Sequence, residues 1–343
     1  MSALERLVLT NFRNLERFEV AGAPERGVVA LLGPNGVGKT SVLEAISLLE
    51  GGRGLVGEDA KAQVREGAAR EGWTVFAETH DGGSVGMQYR AGKRVVRLDG
   101  AEATLEAVAA RFSMVMLAPE LDRVFYNAPA GRRALLDSWA VQLDSGHEVA
   151  VERYAHHVRG RLRILLQGGA GDWLEAEEYQ AAEWGVKVLR GRAGYLAAVA
   201  PHMEGLRVVL AGAAQEVLAA DDPVAALKGK LVRSREIDMR LERTSAGPNT
   251  LDVVAELEVD GRWLVAKQSS SGQHKRVMLR WLVAQVRAMV AAGRAPLVLV
   301  DELSAHLDAA GVDEALGALH GLGVQVWVSD VALADGRVWA VRV

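Results

Sequence analysis

"GVVALLGPNGVGKTSVLEAI", residues 27–46, decides the fold. Its first six residues form a short unbroken apolar run, the pattern of a strand buried on both faces. "GPNGVGKT", from Gly33 to Thr40, then fits G-x-x-x-x-G-K-[ST] in full. Beyond it, Val42, Ile46 and Leu49 recur at helical spacing up to Gly51, so a helix is predicted there. Strand, glycine-rich loop and helix in that order are a phosphate-binding unit. Gly33, Gly36 and Gly38 let the backbone curl with its N–H groups turned inward. The helix starting near Gly38 adds the positive end of its dipole. Lys39 brings a point charge to the β and γ phosphates, and the Thr40 hydroxyl suits Mg²⁺. This much specifies a nucleoside triphosphate, ATP or GTP, and no particular reaction.

A second motif completes the chemistry. "PLVLVDELSAHLD" (296–308) carries four apolar residues and then Asp301 and Glu302. A carboxylate at the tip of a buried strand is placed to hold a metal, so Asp301 joins Thr40 as a metal-site residue. Its neighbour Glu302 is the candidate catalytic base for the attacking water, with Lys39 as the other catalytic residue. These halves of one site lie ~260 residues apart, farther than a compact single-domain nucleotide hydrolase needs. Something sizeable is inserted between them.

The texture of the chain says what. Near the start, Leu7 and Leu9 alternate as in a half-buried strand, and "LERFEV" (15–20) follows the turn-like "NFRN" as a second one. Short strands with glycine turns return from about residue 73 to 98. From 121 to 235 the sequence turns rich in Ala, Leu, Arg and Glu at helical period, without the sustained heptads of a long coiled coil. The reading is an N-terminal half of an ATPase lobe over 1–120, a helical insertion over 121–235, and the lobe's C-terminal half over 236–343.

With 343 residues, half of them apolar, the chain can bury a sizeable core. It has no cysteine, which excludes disulfides and zinc–thiolate sites and fits a reducing, cytoplasmic setting. The charged first twenty residues do not read as a secretory signal, and no segment is long and apolar enough for a membrane span. A net charge of −4 leaves any nucleic-acid contact to local basic clusters. Candidates are Arg90, Lys93, Arg94 and Arg97; Arg132 and Arg133; Arg159, Arg161 and Arg163; and Lys187, Arg190 and Arg192.

Between the two halves of the site, "SSSGQHKR" (269–276) opens an amphipathic run, and its His274, Lys275 and Arg276 bring positive charge to the start of a helix, where it would meet phosphate or a partner. "SSSGQ" resembles the LSGGQ signature of ABC-type ATPases, with Ser270, Gly272 and Gln273 matching and Ser269 and Ser271 departing. In that class the signature of one protomer faces the γ phosphate held by another, and "SAHLD" resembles the D-loop, with Asp308 near the dimer seam. The N-terminal "LVLTNFRNLERFEV", the stretch "LAPELDRVFYNAPAGRRALLDSWAVQL" and "RTSAGPNTLDVVAEL" are similar to the corresponding parts of the RecF family of bacterial recombination mediators. The resemblance implies an α/β, ABC-type P-loop ATPase head with a mostly helical inserted second lobe forming a short arm. It implies ATP and Mg²⁺ as ligands, bound by Arg13, Gly33, Asn35, Gly36, Gly38, Lys39, Thr40 and Ser41. It further implies an ATP-dependent homodimer with weak, DNA-stimulated ATPase activity that grips double-stranded DNA and single-strand/double-strand junctions. RecR, RecO and RecA are the implied protein partners. Two departures stand out. The histidine usual after the last core strand is replaced by Ser329 and Asp330, and "LAPE" stands where a Q-loop glutamine is expected. The alternatives are a nucleotide-binding subunit of an ABC transporter and an ABC-type interaction ATPase that does not bind DNA.

Overall fold

The computed structural model describes residues 3–51, 59–333 and 335–343. They form two compact units, Met1–Asp122 with Ser271–Val343, and Arg123–Ser270.

The first unit begins with strands β1 (Leu4–Phe12) and β2 (Leu15–Ala21), an antiparallel hairpin in which Leu9 faces Phe18. The alternation seen in the sequence is the pleat itself, with Leu7, Leu9 and Phe12 fully buried. Strand β3 (Gly27–Leu32) and helix α1 (Lys39–Ser47) flank the glycine loop. Strands β4 (Trp73–Thr79), β5 (Ser84–Arg90), β6 (Lys93–Leu98) and β7 (Ala101–Glu102) extend the hairpin into a six-stranded sheet of order β2-β1-β4-β5-β6-β7. Helix α2 (Leu105–Arg111) and strand β8 (Met114–Leu117) follow, and a short turn of helix over Pro119–Arg123 ends this half.

The second unit holds helices α3 (Pro129–Leu143), α4 (Gly146–Leu166) and α5 (Asp172–Val199), then β9 (Leu206–Ala211). After these come α6 (Ala214–Leu218), α7 (Pro223–Arg233), α8 (Arg235–Leu241), β10 (Asp252–Val259) and β11 (Arg262–Val265). Helix α5 is 28 residues long, about 42 Å at 1.5 Å per residue, and pairs with α4 as a long helical hairpin. Leu227 and Leu231 of α7 pack on Ala181, Val186 and Leu189 of α5. The reading from sequence returned the chain to the ATPase lobe at 236; the structure does so at Ser271. The reason is β10, which pairs antiparallel with β9 on one edge and β11 on the other, so residues 252–265 are bound to the second unit.

Back in the first unit run α9 (Ser271–Ala291), β12 (Leu297–Val300), α10 (Ala309–His320), β13 (Gln325–Asp330) and β14 (Val338–Arg342). A five-stranded sheet of order β14-β3-β13-β12-β8 has every pair parallel. Strands β12 and β13 are buried at every position, as near-continuous apolar runs in a covered parallel sheet must be. One core joins Leu7, Leu9 and Trp73 of the antiparallel sheet, Val29, Leu31 and Trp327 of the parallel sheet, and Val42 and Ile46 of α1.

Three of the four basic clusters prove partly internal. Arg132 grips Asp252 at 2.7 and 2.9 Å. Arg161, with no exposed surface, pairs with Asp238 at 2.6 Å and Glu178 at 3.2 Å. Arg192 grips Asp137 through two 2.8 Å bonds. A buried guanidinium needs a carboxylate, and each has found one in its own unit. Arg90, Lys93, Arg97, Arg159, Arg163, Lys187 and Arg190 remain exposed.

Candidate functional site

In a parallel sheet, ligands gather where the strands end in their carboxyl termini. Here a pocket of about 1100 Å³ lies beyond β3 and β13, entirely within the first unit. Its floor is the glycine loop: Asn35, Gly36, Gly38, Lys39, Thr40 and Ser41 all line it. Gly36 and Gly38 adopt φ of 81° and 119°, the left-handed region that favours glycine. At Gly38 a Cβ would stand 2.5 Å from Leu15 Cδ2, so the loop and the β1–β2 hairpin can approach only because that side chain is missing. Lys39 is buried, and its ammonium donates to the carbonyls of Gly33 and Pro34 at 2.7 and 2.8 Å. The cation is thus folded over the loop that would receive phosphate.

The hairpin turn fixes the rest of this wall. Asn14 Nδ2 donates to the Gly36 carbonyl, and Asn14 Oδ1 accepts from Ser41 Oγ, each at 2.8 Å. Arg13, with φ of 53°, lines the pocket while its guanidinium donates twice to the nearly buried Glu44 of α1, at 2.7 and 2.8 Å. Gln63 Nε2 adds a third donor to Glu44 at 3.2 Å. Asn14, Glu44 and Gln63 escaped the sequence reading. Asn14 stands in "NFRN" beside Arg13, and Glu44 falls four residues after Thr40 on the same helix, but neither fits a motif on its own.

Across the pocket, Thr40 Oγ1 lies 2.9 and 3.1 Å from the two oxygens of Asp301, although 261 residues separate them. A hydroxyl and a carboxylate side by side are hard oxygen donors that suit Mg²⁺. Among the described residues no group of three His, Cys, Asp or Glu side chains could hold a metal. A cation here would therefore take its other ligands from phosphate and water, as Mg²⁺ does with nucleotides.

The acidic pair is clasped from β13. Ser329 Oγ donates to Asp301 Oδ1 and accepts the backbone N–H of Glu302 at 2.9 Å. Leu303 N–H donates to the Ser329 carbonyl at 3.1 Å. Asp330 takes the backbone N–H and the hydroxyl of Ser304, both at 2.8 Å. Four consecutive residues, 301–304, are fastened to two. Glu302 itself has φ of 51°, unusual without glycine, and this clasp over-determines it. Ser329 and Asp330, conspicuous in the sequence as substitutes for a histidine, occupy the strand between β3 and β12.

Ser270 closes the second unit, while Gly272 and Gln273 lie in the first turn of α9; none of the three lines this pocket. A Cβ on Gly272 would stand 2.6 Å from the His306 carbonyl oxygen, so glycine is required there. Asp308 caps α10, accepting from Gly311 N–H at 2.9 Å and Arg276 at 3.0 Å. The Gly311 bond first, and Arg276 with it, hold the Asp308 carboxyl below its usual range. His274 and Lys275, which the sequence suggests as positive charge at a contact surface, are fully buried. Their helix face is the one packed onto the sheet, and Lys275 pairs with Asp122 at 3.1 Å.

With this geometry in hand, the likenesses are specific. Residues 3–332 match the family model of the RecF/RecN/SMC N-terminal domain. The chain is 32% identical to the DNA replication and repair protein RecF of Mesorhizobium japonicum, across 96% of this chain and 92% of that one. Its fold is similar to that of the recombination mediator protein RecF of the RecFOR pathway, solved as RecF-ATPrS, with a TM-score of 0.77 at 21% identity over 99% of this chain and 95% of the other. An Smc head bound to the C-winged helix domain of ScpA is more distant, with a TM-score of 0.52 at 16% identity over 96% and 90% of the two chains.

Proposed function

This chain belongs to the RecF family within the RecF/RecN/SMC N-terminal domain, and on that premise we propose that it is an ATP-dependent DNA-binding clamp of recombinational repair. It grips double-stranded DNA and single-strand/double-strand junctions at gaps and stalled forks as a homodimer with ATP held between the protomers. It hydrolyses ATP slowly, faster with DNA, and acts with RecR and RecO to promote RecA loading. The observation that carries this reading is the meeting of Thr40 with Asp301 over a complete phosphate loop. The transporter alternative draws no support from the family model or the curated relatives.

The residues divide the work. The N–H groups of the loop from Gly33 through Asn35, Gly36 and Gly38 receive phosphate oxygens, with Ser41 at the start of α1 beside them. Lys39 leaves the Gly33 and Pro34 carbonyls for the β and γ phosphates, which bind a cation far more strongly. Arg13, levelled by Glu44, presents a guanidinium edge at the same wall. Thr40 and Asp301 would hold Mg²⁺, which would supply charge neutralisation on the phosphates. Glu302 accepts the proton of the attacking water, oriented by its clasped backbone. Ser329, where a histidine is usual, has its hydroxyl committed to Asp301 and Glu302, which takes it away from the γ phosphate and fits slow turnover. Ser270, Gly272 and Gln273 address the partner protomer's ATP, with Asp308 at the seam. Exposed Arg90, Lys93, Arg97, Arg159, Arg163 and Arg190 supply cations for a sequence-independent grip on the DNA backbone.

Sizing the protein with ATP, with ADP and without nucleotide tests this. ATP alone is expected to give a dimer, and Ser270→Arg is expected to bind ATP normally yet stay monomeric. A Ser270→Arg protein that dimerises normally sinks the sandwich. Affinity for gapped duplex is expected to rise with ATP and fall steeply with salt.

A further inference from the structure

One charged pair lies outside the nucleotide pocket yet touches the elements that shape it. Lys275, near the start of α9, is fully buried, and its Nζ donates to Asp122 Oδ2 at 3.1 Å. The same ammonium lies 3.5 Å from the backbone carbonyl of Asp301. Asp122 sits in the short helical turn after β8, the strand hydrogen-bonded to β12. Its other oxygen, Oδ1, is buried without a hydrogen-bond partner among the described residues. His274 places Nδ1 3.3 Å from the Asp122 carbonyl. The loop after the acidic pair also meets the start of α9: His306 has φ of 66°, and its carbonyl oxygen lies 2.6 Å from where a Cβ on Gly272 would stand.

Stability alone does not call for this arrangement. A buried ion pair is commonly matched or bettered by apolar side chains of the same volume. An incompletely bonded carboxylate makes the case for stability weaker still. What the pair does have is position. It bridges the beginning of α9, which carries Gly272 and Gln273, to the carbonyl end of β12, which carries Asp301 and Glu302.

We propose that Lys275 and Asp122 are positioning residues that transmit the state of the half-site at the start of α9 to the acidic end of β12 in the same protomer. The inference rests on the dimer reading given above. In such a dimer the start of α9 meets the partner's ATP, whereas Asp301 and Glu302 serve the protomer's own. A shift of α9 carries the ammonium with it, and in a low-dielectric interior the Asp301 carbonyl feels that shift strongly. Each site then learns whether the other is filled, and hydrolysis at the two becomes interdependent.

The test compares the wild type with Asp122→Asn/Lys275→Met, which removes both charges at nearly constant volume, and with Asp122→Glu, which keeps them. Binding of a fluorescent ATP analogue is measured on dilute monomer, dimerisation by light scattering, and hydrolysis across ATP concentrations. The double variant is expected to bind the analogue within about twofold of wild type and to hydrolyse ATP roughly tenfold more slowly. Its Hill coefficient should fall to one from a wild-type value approaching ~2 for two coupled sites. Asp122→Glu should recover cooperativity. Wild-type rate and Hill coefficient in the double variant would overturn the coupling. Should that variant unfold, Asp122→Asn alone carries the same two outcomes. A wild type that stays monomeric with ATP overturns the dimer reading instead, and the light scattering shows which has failed.

Discussion

Lys39 and Arg161 are both buried cations, and the two units surround them in opposite ways. In the first unit Lys39 donates to the carbonyls of Gly33 and Pro34, which are dipoles, at the edge of a pocket of about 1100 Å³. In the second, Arg161 meets Asp238, Glu178 and the Leu231 carbonyl with no exposed surface left. Arg192 and Arg132 repeat the second pattern with Asp137 and Asp252. In the second unit these carboxylate-balanced cations are part of the architecture. Lys39, resting on dipoles beside open space, retains a charge to offer an anion. For these cations the surroundings separate scaffold from site better than the charge itself does.

Three perturbations sharpen that contrast. The largest effect is expected at Arg161→Met, which strands Asp238 and Glu178 in the interior. Losing one partner of a buried pair costs about 3–5 kcal/mol, read as a lowered denaturant midpoint, while ATP affinity stays within about threefold. An Arg161→Met protein of unchanged stability would show the pair to be dispensable. Next comes Lys39→Met, for which the roles reverse: little change in the midpoint, but ATP affinity down about a hundredfold, the scale of hydrogen bonds to a charged group. Nucleotide titration of the two variants side by side checks both claims. The smallest effect concerns acid. Burial pushes the Asp137 carboxyl up, but Arg192 and His147 outweigh it and hold it below its usual value of 3.8. A depressed folded value means that its stabilisation is full above pH 3.8 and is lost as the pH falls through the folded value. Asp238 and Asp252 are held down as well, each against burial, by Ser245, Ser234 and Arg161 in one case and by Arg132 in the other. The second unit should therefore lose stability below that pH, and Asp137→Asn should flatten the dependence seen in urea unfolding.

How far the sequence can be read follows the same line. Residues 27–46 were legible because the phosphate loop is a local structure, demanding glycine at left-handed positions and a strand and helix on either side. The acidic end at Asp301 and Glu302 was legible because a buried strand that stops in carboxylates is also local. Arg161 was not, because its partners stand 17 and 77 residues away and no local pattern distinguishes them from any other acid. Lys275 misled for a related reason. In "GQHKR" it reads as one of a run of surface charges, and only the placement of Asp122, 153 residues earlier, turns it inward. The limit of the second unit was set too early because β10 belongs with β9, inside the stretch that reads as helical. The clasp of Ser329 and Asp330 was visible only as an anomaly; its partners, residues 301–304, come into reach through the pairing of β12 with β13.

The order of the parallel sheet carries a consequence for how the protein is made. Among the described strands, β3 is hydrogen-bonded to β13 and β14 and to no others. A ribosome therefore releases the phosphate loop almost 300 residues before either strand that will flank its own has been synthesised. For most of translation β3 is an apolar edge with nothing beside it, and pairings so distant in sequence form slowly. The phosphate loop, the best-marked motif of the sequence, is thus made early, while the strands that flank β3 come almost 300 residues later.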